Sequence, residues 1–161
     1  MLELIHVESG PLIETVHQLL VEYGDSLNFS LCFQSFDEEL RSLPGIYAPP
    51  RGKLVLARLD SKPAGCIALK PAGDLVCEMK RLYVRPEFRG HNLGRKLTTH
   101  LLNEARQIGY RFMRPDTIPG RMDKAISLYR ELGFKEIPAY DDNPVPGALY
   151  MELDLRHADV D

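Results

Sequence analysis

Long apolar runs are missing from this 161-residue chain. None approaches the roughly 20 residues a helix needs to cross a bilayer, so no membrane-spanning helix is expected. The opening Met-Leu-Glu-Leu-Ile-His lacks a basic start and a long apolar core, which argues against a signal peptide. Cysteine is scarce. Cys32, Cys66 and Cys77 are odd in number and far apart, which excludes a disulfide framework. They read as reduced thiols of a cytoplasmic protein, with no metal-ligand spacing, so no metal is expected. Positive charge is not in excess either. A net charge of −3 gives no reason to expect nucleic acid or a membrane surface as partner. Two phosphate-binding signatures are also absent: Gly-x-x-x-x-Gly-Lys-Ser/Thr and Gly-x-Gly-x-x-Gly.

What remains is the composition of a globular protein, 44% hydrophobic and 27% charged. The length suits one domain over residues 1–155, followed by a frayed tail over 156–161. Leu2 to Val7 reads as a strand. Ile13, Val16, Leu20 and Tyr23 mark one face of a helix that Gly24 should end. Ser35 to Glu38 has the form of a capping box, opening a second helix that Pro44-Gly45 should stop. Lys53–Leu59 and Ala64–Leu69 read as a hairpin around the turn Asp60 to Pro63. A third strand follows from Leu75, then a helix to Gly109, a strand at Phe112–Pro115, and a helix with Ala125, Ile126, Tyr129 and Leu132 on one face, capped by Gly133. Strands at Phe134–Ile137 and Leu149–Leu155 complete the chain. The order β-α-α-β-β-β-α-β-α-β-β predicts an α+β fold. Its mixed, mostly antiparallel sheet should have six to seven strands, flanked by about four helices.

The stretch from Leu75 to Gly109 carries the chemistry. A strand runs into a turn rich in arginine and glycine, and the turn opens a helix. The first amides of a helix have no intrahelical acceptor and sit at the positive end of its dipole, so an anion suits them. Between Lys80 and Lys96 six basic residues meet one acidic residue. That is a net +5, against −8 for the rest of the chain. A cationic loop on an acidic chain points to a specific anionic ligand.

The run Arg81-Leu-Tyr-Val-Arg-Pro-Glu-Phe-Arg-Gly-x-x-Leu-Gly-x-x-Leu97 resembles the acetyl-coenzyme-A signature of the GCN5-related N-acetyltransferase (GNAT) family. Ala125 to Phe134 is similar to that family's later helix and strand, and the likeness spans about Lys53 to Leu155. The resemblance implies the acyl-CoA N-acyltransferase fold, with acetyl-CoA as co-substrate. Leu82, Tyr83 and Val84 would offer backbone to the pantetheine arm, as an added strand does. Arg89, Gly90, His91, Asn92, Leu93, Gly94 and Arg95 would cradle the pyrophosphate, with Arg85 and Lys96 as further cations. Asn92 stands where the family's loop usually has glycine. Asparagine is the non-glycine residue that best tolerates positive φ, so the loop is expected to keep its shape.

The resemblance further implies direct acetyl transfer, in a ternary complex, to a primary amine of a small molecule or amino acid. The alternatives are a protein N-terminal or lysine amine, or a coenzyme-A-binding module without catalysis. Tyr129 would stand near the thioester sulfur. A thiol titrates near 8.5 and a tyrosine near 10, so a full proton transfer from Tyr129 is uphill by roughly 2 kcal/mol. A hydrogen bond to the departing thiolate is the better role. Glu78 is the candidate base, acting through water. Phe29 and Phe33 in the helical connector, with Tyr140 and Asn143 in the late loop, are candidate substrate contacts. A homodimer paired through sheet edges is left open.

Overall fold

The computed structural model describes residues 1–26, 36–115, 117, 123–139 and 149–156. Seven strands form one sheet: β1 (Leu2–His6), β2 (Lys53–Leu59), β3 (Lys62–Pro71), β4 (Val76–Val84), β5 (Phe112–Pro115), β6 (Lys135–Glu136) and β7 (Met151–Asp154). Their spatial order is β1-β2-β3-β4-β5-β7-β6. Among the described residues only the β4–β5 pair is parallel. The helices are α1 (Leu12–Ser26), α2 (Phe36–Arg41), α3 (Leu93–Ile108) and α4 (Asp123–Glu131). The expected order of elements is the one found.

Alternation along β2 divides the core. Leu54 and Leu56 join Val16, Leu19, Leu20 and Tyr23 of α1 on one face of the sheet. Val55 and Ala57 join Leu97, Leu101 and Leu102 of α3 on the other, with Ile126 and Tyr129 of α4. Each large apolar side chain so buried contributes about 1.5–3 kcal/mol, and the two faces bind the helices to opposite sides.

Several boundaries move from where the sequence placed them. α1 passes through Gly24 and ends at Ser26, whose hydroxyl donates to the Tyr23 carbonyl at 2.7 Å. That bond occupies one of the helix's last orphan acceptors, so Gly24 is not needed as the stop. The β2–β3 turn is tighter than Asp60 to Pro63. Asp60 and Ser61 alone make it, with φ of +52° and +69°, and Lys62 already pairs with Leu59. Two successive left-handed residues match the twist of a two-residue hairpin. β6 and β7 are shorter than predicted, and a 3-10 turn at Gly45–Tyr47 was not foreseen. Ser35 of the capping box lies outside the described residues.

β4 is irregular at one point. Cys66 of β3 pairs with Tyr83, yet Ala68, two residues on, pairs with Lys80, so β4 has one extra residue there. Arg81 takes it up in a left-handed conformation, φ +64°. A bulge shifts the strand's alternation by one. Cys77 and Met79 face α3 before it, and Leu82 and Val84 still pack toward that side after it.

Candidate active site

The described β4–β5 pairing lies before the bulge. Among the described residues this ladder runs from Val76–Phe112 to Met79–Pro115. On its other side β4 stays paired with β3 as far as Val84. Among the described residues, the edge from Lys80 to Val84 that faces away from β3 therefore has no strand beside it. Tyr83 turns its carbonyl toward β3, where a Cβ built on Gly65 would meet it at 2.4 Å, and the Arg85 amide donates to Ala64 at 2.8 Å. Alternation then directs the polar backbone groups of Leu82 and Val84 to the unpaired edge.

That edge is one wall of a cleft of about 660 Å³. The loop Arg89 to Asn92 and the start of α3 make the second wall, and α4 makes the third. Asn92 stands immediately before α3 in the left-handed region, φ +62° and ψ +25°, and its side chain does not cap the helix. Lys96 is the first residue bonded back, its amide donating to the Asn92 carbonyl at 3.1 Å. The amides of Leu93, Gly94 and Arg95 have no intrahelical acceptor, and no acidic residue occupies the first turn. A helix end left uncapped and uncompensated is suited to an anion.

The cations are fewer than the sequence count suggested. Arg81 and Arg85 are committed to carboxylates of the α1 and α2 layer. Arg81 grips Glu39 through two bonds of 2.9 Å, and Arg85 grips Glu22 at 2.7 and 3.0 Å. Arg85 is thereby corrected as a helper for phosphate. Its guanidinium holds the Glu22 carboxyl below its ordinary value, against the opposing effect of burial. Arg95 lines the cleft in an ion pair with Glu131 of α4. Arg89 lines it too, its Nε donating to the Val84 carbonyl at 3.2 Å. Lys96 is exposed.

The remaining expected residues divide. Leu82, Val84, Gly90, Asn92, Leu93 and Gly94 all line the cleft. Tyr83 and His91 lie outside that lining. The Tyr83 hydroxyl donates to Glu22 at 3.2 Å on the opposite face, and His91 is exposed. Tyr129 is 1% exposed and packs on Phe134 with ring centroids 5.4 Å apart, while its neighbours Ala125 and Leu128 reach the cleft. Glu78 is half-buried one residue before the ladder ends, flanked by Lys70 at 3.8 Å and Lys80 at 3.9 Å. Phe29, Phe33, Tyr140 and Asn143 lie outside the described residues. Burial pushes the Cys66 and Cys77 thiols up to about 12, and neither lines the cleft.

Lys124, Ser127 and Glu131 of α4 line the cleft and were missed. Their spacing of three and four residues marks a second face of that helix, beside the apolar one that drew attention. Arg81 was missed as well, although its signal is in the strand. Apolar residues fall at 77 and 79, then at 82 and 84, and that one-residue slip is the mark of a bulge.

Comparison with known proteins bears on this geometry. The family model described as "Acetyltransferase (GNAT) family" matches residues 14–134. An uncharacterised N-acetyltransferase of Schizosaccharomyces pombe is 38% identical over 145 residues, which is 89% of this chain and 88% of that protein. A GNAT-family acetyltransferase structure from Staphylococcus aureus superposes with a TM-score of 0.80 at 18% identity, covering 96% of this chain and 99% of that one. The PaiA N-acetyltransferase of Thermoplasma acidophilum, solved in complex with coenzyme A, superposes with a TM-score of 0.72 at 19% identity, covering 96% and 99%. The chain belongs to the GNAT family and is an acetyltransferase.

Proposed function

We propose that the chain transfers acetyl directly from acetyl-CoA to a primary amine of a small molecule or amino acid, within a ternary complex, and that residues 1–155 act as one domain. The observation that carries the reading is the uncapped start of α3 beside the edge of β4 at Leu82 and Val84, which no described strand covers, in one cleft. The pyrophosphate would take the amides of Leu93, Gly94 and Arg95, with Arg89 and Lys124 supplying charge. The pantetheine arm would pair with the Leu82–Val84 edge as an added strand. That the relative from Thermoplasma acidophilum was solved with coenzyme A supports the choice of cofactor.

Attack by the neutral amine on the thioester carbonyl forms the carbon–nitrogen bond, and collapse expels the coenzyme A thiolate. An amide at the free edge of β4 would hold the oxyanion. Tyr129 would hydrogen-bond the leaving sulfur, and Glu78 would take the ammonium proton through water. The choice of a small amine rests on the sequence, in the aromatic connector and the acidic late loop. A panel of amines with acetyl-CoA, read by release of free thiol, tests it. Turnover of small amines with none on peptide amines supports the reading. Turnover confined to peptides would overturn the substrate class, and no calorimetric binding of acetyl-CoA at micromolar levels would overturn the whole.

A further inference from the structure

Along the second half of α3 a second cluster forms. His100 and Glu104 stand one turn apart, hence on one face of the helix. Against them comes His6, the last residue of β1, brought there from 94 residues away in sequence. The Nε2 atoms of His6 and His100 face each other at 2.8 Å. Glu104 places a carboxylate oxygen 3.6 Å from His6 Nε2. All three donor atoms lie within 4.8 Å of one another. None of the three residues lines the acetyl cleft.

We infer that His6, His100 and Glu104 form a metal-binding site for a borderline divalent cation, zinc foremost. Zinc takes imidazole nitrogen at about 2.0–2.1 Å and carboxylate oxygen at about 2.0–2.2 Å, which sets tetrahedral ligand atoms roughly 3.3 Å apart. The two measured separations bracket that value, so the imidazoles need to open by only about half an ångström. The cluster is half-buried, which leaves water access to a fourth position. Two imidazoles and one carboxylate form a donor set that favours zinc over calcium or magnesium.

One group competes. Lys53 Nζ stands 3.4 Å from the Glu104 oxygen and neutralises it when no cation is bound. A divalent cation outweighs one ammonium at that carboxylate, and the lysine is long enough to turn away. In the facing pair one imidazole donates through Nε2 and the other accepts. Binding requires the donor to shift its proton to Nδ1, with no net change in protons.

The site would be structural. Glu104 lies about 16 Å along the helix from Leu93, at 1.5 Å per residue. A bound ion would tie the edge strand β1 to the helix whose other end meets the cofactor. Glycine and cysteine patterns give no hint of it; it arises only when β1 packs beside α3.

The test is calorimetric titration of the chelator-stripped full chain with zinc, repeated with cobalt and followed by visible absorption. The expected result is one cation per chain, a raised Tm and unchanged coenzyme A affinity. His100→Ala should weaken binding beyond the roughly 10- to 100-fold that loss of an outer-shell partner costs. His17→Ala, elsewhere on α1, should leave it unchanged. His6→Gln at the sheet edge gives a second variant should His100→Ala not fold. No saturable zinc binding by the unmodified chain would overturn the inference. So would equal binding by folded His6→Gln, or equal loss in His17→Ala. Each readout is independent of acetyl transfer.

Discussion

Arg81 and Glu39 are joined by two hydrogen bonds of 2.9 Å, with the arginine 2% exposed and the glutamate 8%. The guanidinium also lies 5.1 Å over the Phe36 ring. The bulge in β4 turns this side chain into the α1 and α2 layer, and the ion pair in turn holds the left-handed residue of the bulge. Removing one partner leaves the other charged and buried. Glu39→Ala should cost about 3–5 kcal/mol, while the apolar double variant Glu39→Leu/Arg81→Met should regain most of it. Urea denaturation of both proteins measures this. A single-variant loss under about 1 kcal/mol would show that the pair does not hold the bulge.

Gly65 faces Tyr83 across the β3–β4 ladder. A Cβ there would stand 2.4 Å from the Tyr83 carbonyl oxygen and 3.2 Å from the Val84 Cα. Backbone cannot yield as a side-chain tip can, so Gly65→Ala should destabilise by about 1–3 kcal/mol. Because Val84 borders the cleft, coenzyme A affinity should fall as well. Thermal denaturation together with ligand calorimetry separates the two effects.

Asn92 holds φ at +62° before α3. Glycine reaches that region without penalty, so Asn92→Gly should bind coenzyme A as the unmodified protein does. A β-branched residue meets a cost of roughly 1–2 kcal/mol in left-handed backbone. Asn92→Val should therefore lose affinity while the melt of the remaining fold changes little. Equal affinity in Asn92→Val would mean that the loop does not need this conformation to bind.

Glu22 predicts a pH dependence. The hydrogen bonds from Arg85 lower its carboxyl below the ordinary 4.5. A carboxyl depressed in the folded state adds stability that is complete above the unfolded value and disappears as pH falls through the folded one. Acid should thus weaken the α1–β4 contact below about pH 4.5. In Glu22→Gln the Tm should be slightly lower near neutrality and converge on that of the unmodified protein in acid, which flattens the acid limb of a Tm-against-pH profile. An identical acid limb would remove Glu22 from the account. The exposure of Glu22, 36% at the side chain, keeps the effect small.

Local signals predicted most of the architecture. Strand alternation, helical spacing and turn residues are short-range properties, so they placed every strand and helix in its order. The Gly133 cap was equally local: its φ is +102°. Boundaries drifted where a tertiary bond replaced the local stop, as at Ser26. The charge count misjudged Arg85, because its partner Glu22 lies 63 residues away.

By itself the sequence determined the fold class, the family and the strand-turn-helix that builds an anion cradle, because each is written in residues that are neighbours along the chain. Only the tertiary structure decided which cations face the cleft, that Glu39 reaches Arg81 across 42 residues, and that His6 meets His100 across 94. Those pairings depend on how sheet and helices stack. Packing of distant apolar faces sets that stacking, and no short stretch of chain encodes it.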